Sequence, residues 1–135
     1  MDSGNWIYKK ISENQNITDV VNNCINPFKR STNNEIPEIV YAFGLSEFGA
    51  TKDSIICKRL DATIRVLTNN YNELQTVVKE LNNEFELGSD SWIDGDNITW
   101  RISYSVENII PDYQIDNKIF TTDYDLSAKF TKMNF

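Results

Sequence analysis

Tyr71, Leu74, Val77, Val78, Leu81 and Phe85 recur at spacings of three and four with polar residues between them, which places them on one stripe of an α-helix. The stretch from Thr68 to Gly88 that holds them also carries start and stop signals. Asn70 followed by Glu73 reads as a relative of the capping box, and Gly88 as a stop, so the spacing predicts a long helix over about 70–87. Shorter helices are expected around Trp6, Ile7, Lys10 and Ile11, and around Ile17, Val20, Val21 and Cys24, the second capped by Asn16 or Thr18 and ended before Pro27.

Elsewhere the period changes to two. Ile39, Tyr41 and Phe43 alternate with Val40 and Ala42 after Pro37; Ile56, Lys58, Leu60, Ala62, Ile64 and Val66 alternate with Cys57, Arg59, Asp61, Thr63, Arg65 and Leu67. Ile98, Trp100, Ile102, Tyr104 and Val106 mark a third strand, and Phe120, Thr122, Tyr124, Leu126, Ala128 and Phe130 a fourth. Between them, Gly44 to Ser54 reads as a protruding connection, residues 88–97 as an acidic turn with an Asp-Gly step, and Ile109 to Tyr113 as a loop because of Pro111. The expectation is one α+β domain over 1–135: an antiparallel sheet of about four main strands, with the long helix and the short N-terminal helices packed on one face. The opposite face carries Arg59, Asp61, Arg65, Arg101, Glu107 and Asp123, which fits either a solvated surface or a polar subunit contact.

Composition narrows the chemistry. The chain has 135 residues, a formal charge of −7 and a sequence pI near 4.5, a sign that argues against a surface built to neutralise nucleic-acid phosphates. It has no histidine, the commonest proton-transfer side chain near neutral pH, and no Gly-x-Ser-x-Gly or phosphate-loop motif, so no enzyme is expected. Glu35, Glu38, Asp61 and Asp123 are the carboxylates a fold could bring together, although acids on a solvated face are the commoner case. Asp90, Asp94 and Asp96 crowd one turn, but the twelfth position from Asp90 is Arg101 rather than the glutamate of a calcium loop. Cys24 and Cys57 lack metal-ligand spacing and read as partly buried thiols in a reducing compartment. No cofactor or metal is expected. There is no apolar run of membrane-spanning length and no signal-like N-terminal segment, so no membrane partner is expected.

Particular residues add a resemblance. The helix Trp6 to Ser12, Ile25-Asn-Pro27-Phe28 before a polar loop, Ile36-Pro37-Glu-Ile-Val-Tyr41, Lys58 to Val66, Tyr71 inside the next helix and the closing Ala128-Lys-Phe130 together resemble the tail-completion or tail-terminator proteins of long-tailed bacteriophages. The 88–97 segment with Trp92 departs from that pattern. The resemblance implies a virion structural protein at the neck: a homo-oligomeric ring, a hexamer before a dodecamer, that ends the tail tube and joins it to the head connector. Its partners would be tail-tube and head-connector proteins, with DNA passing through its channel without sequence-specific binding. It would assemble in the host cytoplasm and reside in the virion. Leu45, Phe48, Lys52, Arg59, Asp61, Arg65, Trp92, Asp94 and Arg101 are the candidate ring-interface residues. The competing class is a small acidic binding module, inhibitor-like, that masks a basic partner.

Overall fold

The structure is a computed structural model that describes residues 3–30, 36–48 and 57–133. Two helices, α1 (Ser3–Ser12) and α2 (Gln15–Val21), lead into a short strand β1 (Ile25–Pro27) and a long one, β2 (Glu38–Phe48). Then come β3 (Cys57–Thr68), α3 (Tyr71–Phe85), β4 (Leu87–Ile93), β5 (Thr99–Gln114) and β6 (Ile119–Lys132). All six strands form one sheet in the order β1-β2-β3-β6-β5-β4. β1 runs parallel to β2 and every other neighbouring pair is antiparallel.

The expected antiparallel sheet of about four strands with a long helix over 70–87 is therefore corrected. The sheet is six-stranded and mixed, and its longest helix is 15 residues, Tyr71–Phe85. Two strands escaped the periodicity for different reasons. β1 is three residues long, too short for alternation to register. β4 occupies most of the segment expected to be an acidic turn, and two of its three positions on the helix side are Gly88 and Asp90, so the pattern there is hardly apolar. Gly88 is no helix stop. It lies in β4 opposite Tyr104, and a Cβ at that position would come within 2.8 Å of the Tyr104 hydroxyl oxygen.

The helix ends also differ from expectation in detail. Asn70 caps α3, its side chain accepting from the backbone N–H of Asn72 and Glu73 at 2.9 and 3.2 Å. The Glu73 carboxylate does not return to Asn70 as a capping box would; it accepts from the Thr68 hydroxyl at 3.0 Å, and that same oxygen accepts the Asn70 N–H at 3.1 Å. At α2 the cap is Asn14, accepting from Ile17, instead of Asn16 or Thr18. The helix stops at Asn22 and Asn23, both with positive φ, a conformation asparagine tolerates.

Helices cover one face of the sheet. Leu60, Ala62, Ile64 and Val66 of β3, Tyr124, Leu126, Ala128 and Phe130 of β6, and Ile102 of β5 point to that side and are buried with Leu74, Val77, Leu81 and Phe85 of α3. Phe85 sits among Trp6, Tyr104 and Tyr124, with ring centroids 5.8 to 6.5 Å apart and edge-to-face or tilted geometry. Trp6 adds contacts with Tyr104 and Phe130 and donates its indole N–H to Asp90 of β4 at 3.1 Å. Tyr124 reaches the end of α3, donating to the Asn82 side chain at 2.9 Å, and burial raises its phenol above the ordinary tyrosine value.

These contacts set two expected outcomes in urea unfolding followed by circular dichroism. Phe85→Ala removes the ring shared by α1, α3, β5 and β6 and should lower stability by about 3–5 kcal/mol. Asn70→Ala, which frees two helix N–H groups at an exposed cap, should cost only about 1 kcal/mol.

Candidate functional site

Among the described residues no helix lies over the other face of the sheet, and there the sequence places charged and polar side chains at the positions that alternate with the core. On β3 these are Arg59, Asp61, Thr63 and Arg65; on β6, Asp123, Asp125, Ser127 and Lys129; on β5, Arg101, Ser103, Ser105 and Glu107. Register turns these rows into pairs. Arg65 lies opposite Asp123 and grips it with two bonds, 2.7 and 2.9 Å, which raise the guanidinium above its ordinary value against the effect of burial. Thr63 lies opposite Asp125 and donates to it at 2.7 Å. Arg59 reaches along its own strand to Asp61 at 3.2 Å and across to Glu107 at 3.6 Å. Arg59, Asp61, Thr63, Glu107 and Asp125, with Ala42 of β2, line an open depression of about 560 Å³, and the Arg65–Asp123 pair lies outside it.

The floor of this depression is sheet, and the charges of this face remain wet. Arg59, Asp61, Arg65 and Glu107 keep roughly half of their side-chain surface exposed. Ion pairs in that environment contribute little to folding. Their ordered, two-sided charge is chemistry suited to a polar protein contact whose register is set by matched pairs, as at the rim of an interface.

The candidate residues fall into separate groups. Arg59, Asp61 and Arg65 are gathered on the uncovered face, and Arg101 lies farther out on it, exposed beside Ser91. Leu45 is exposed on β2. Phe48 ends β2, and Lys52 lies outside the described residues. Trp92 and Asp94 belong to the covered side instead. Trp92 is buried with its ring edge-on to Phe130, at 6.3 Å. Asp94 is buried too, accepting from the Trp100 indole N–H at 2.9 Å and from the backbone N–H groups of Asp96 and Ile98 at 2.9 and 3.0 Å. It anchors the β4–β5 turn from inside and leaves little surface for a neighbour. Of the carboxylates considered for convergence, Glu38, Asp61 and Asp123 each meet a different arginine: Arg30, Arg59 and Arg65.

Two features were not anticipated. Glu38 is fully buried, its carboxylate accepting from Arg30 Nε and Asn26 Nδ2 at 2.8 Å each, which ties β1 and the chain after it to β2. The signal was an acid inside the apolar run Pro37 to Tyr41. The second is Ile109 to Tyr113, expected to be a loop, which lies within β5 and pairs along β6. β4 pairs only with residues 99–105, so beyond them β5 is an edge, where Pro111 interrupts no second ladder. Ile109, Ile110 and Tyr113 on this edge, and Ile115 at its tip, are exposed.

Two measurements separate the structural from the surface roles. Burial pushes the Asp94 carboxyl upward, but its hydrogen bonds from Trp100, Ile98 and Asp96 outweigh that and leave it below the ordinary aspartate value. A lowered folded-state value contributes stability above the unfolded aspartate range and loses it as pH falls through the folded value. Asp94→Asn should therefore cost about 1–3 kcal/mol at pH 7 and flatten the decline of the urea midpoint as pH falls through and below the ordinary aspartate range. Arg65→Ala, at an exposed pair, should change folding stability by less than about 1 kcal/mol in the same assay.

No protein-family model and no curated protein matches this chain. Among solved structures, a chain of the "Virion of native gene transfer agent (GTA) particle" is similar over 93% of this chain and 91% of its own length, with a TM-score of 0.66 and 9% sequence identity. The two chains share a fold from near one end to near the other.

Proposed function

We propose that this protein is a virion structural subunit of a phage-like particle, and that copies of it close into a ring at the neck, at the top of the tail tube, joining it to the head connector. The observation that carries the reading is the likeness in fold to a virion chain over nearly the whole of both molecules. Three properties support it. Among the described residues no helix covers the charged, ordered face of the six-stranded sheet. Its long β5–β6 hairpin exposes apolar side chains along one edge. A net charge of −7 suits a wall past which DNA must move without adhering. The role is non-catalytic, and the ring is built by contacts between unlike patches of identical chains, a geometry that closes when the rotation between neighbours divides a full turn.

Native mass spectrometry over a concentration series, followed by sedimentation with particles and with tail-tube subunits, tests this reading. The expected result is a closed oligomer, a hexamer before a dodecamer, that travels with the particles. A stable monomer at high concentration that ignores tail-tube subunits overturns it. If that monomer bound a cationic protein with steep salt dependence, a masking module would be the better description.

A further inference from the structure

Among the described residues, apart from Leu87 and Ile93 on β4, exposed apolar side chains form two groups toward opposite sides of the sheet. The first is the outer edge of the β5–β6 hairpin, where Ile109, Ile110, Tyr113 and Ile115 are 39, 55, 43 and 79% exposed. Tyr113 is braced rather than loose: its ring lies 4.5 Å from that of Phe120, which in turn meets Tyr71 of α3 at 5.7 Å. Asp112 and Asp116 are exposed among these side chains, with Lys118 at the tip. Pro111 has no N–H to offer along this edge, so a neighbour would have to be held mainly by side chains instead of by an added strand.

The second patch surrounds β1. Phe28 is 61% exposed and Leu45 is 42% exposed, and Tyr8 of α1 is half open nearby in the fold. The backbone at Phe28 is unusual. Its φ is 63°, and the Lys29 N–H bonds the Pro27 carbonyl at 2.7 Å, closing a three-residue turn with the aromatic residue at its centre. A bulky residue rarely adopts this conformation, and it persists only where its surroundings hold it. Here the Phe28 N–H is fixed to the Tyr41 carbonyl at 2.8 Å and the ring leans on Phe43 at 5.0 Å, so the strained turn presents the aromatic outward. Beside it Lys29 is exposed, while Arg30 is neutralised by Glu38.

We infer that the hairpin edge of one copy seats on the β1 corner of the next, Ile109 and Tyr113 of one strand face and Ile115 at the tip packing around Phe28 and Leu45 while Asp112 and Asp116 at the rim face Lys29. This rests on the ring reading above and names the contact that would build it. The occupant is a second copy because the patches complement each other: both are apolar, one carries acids and the other Lys29, which pairs with no acid among the described residues. They cannot meet within one chain. β2, β3 and β6 stand between β1 and β5, a separation of roughly 19 Å at the usual strand spacing. Two different patches, each satisfied by the other's copy, define the head-to-tail contact from which rings form.

Native mass spectrometry of full-length variants, with circular dichroism to check folding, tests the contact. Asp112→Lys with Asp116→Lys should lower the assembled fraction at least tenfold, and adding Lys29→Glu to the same chain should restore it. Ile115→Lys, at the most exposed tip position and remote from the core, should give the same loss without any folding risk. A chain with a damaged hairpin still keeps an intact β1 corner, so a minority of it mixed with wild-type protein should cap growing assemblies and reduce them more than its share. Wild-type-like assembly by the tip and charge variants overturns this contact and leaves the ring standing. A wild-type protein that stays monomeric with tail-tube subunits overturns both.

Discussion

The packing of Phe85 against Trp6, Tyr104 and Tyr124 is the constraint on which the rest of the molecule depends. It joins the last turn of α3 to the N-terminal helix and to both strands of the long hairpin, four elements far apart in sequence. Lys10 extends the same cluster outward, its ammonium 5.8 Å from the Phe85 ring and 5.1 Å from the Tyr104 ring while pairing with Glu84 and Asp90 at 3.7 Å. Once these rings are seated, the helices have only one face of the sheet to cover. The opposite face is left to alternate positions that carry charge.

That division explains how a small chain can hold an ordered polar surface without weakening its interior. The arginines and carboxylates of the uncovered face sit on strands whose other side chains pack in the core, so core packing sets their backbone position even where their ion pairs contribute little energy. The buried charge is handled differently. Glu38 lies out of water and is matched by an arginine and an amide with good geometry, which suits a fastening between β1 and β2 rather than a contact with a partner.

The pattern of the sequence was most informative where one physical period ran unbroken. The α3 stripe from Leu74 to Phe85 and the alternation from Leu60 to Val66 both correspond to residues buried in the core. It failed where a local feature disturbed the period. Asp90 occupies an inward position in β4 because it accepts the Trp6 indole N–H, so a strand there looked like a turn. Asp94 looked like surface chemistry in an acidic segment, whereas a partner six residues later, Trp100, draws it inside. The charged interface candidates on β3 were readable from alternation alone. The pairing of Arg65 with Asp123 was not, because it depends on a register between strands 58 positions apart.

The irregularity between Val106 and Asn108 has a consequence for comparing this chain with distant ones. Up to Val106 the even-numbered residues of β5 face the helices; from Ile109 onward the odd-numbered ones do, because Glu107 is an extra residue opposite β6. The spacing from Val106 to Ile109 breaks the binary rhythm just ahead of Pro111, the residue that gives the segment the look of a loop. A chain lacking that insertion would keep its downstream side chains on the same sides, yet would lose the added twist and the carboxylate that Arg59 reaches. Its hairpin would leave the sheet at another angle, so matching such sequences calls for a single-residue gap here, and the direction in which the hairpin projects would vary with it.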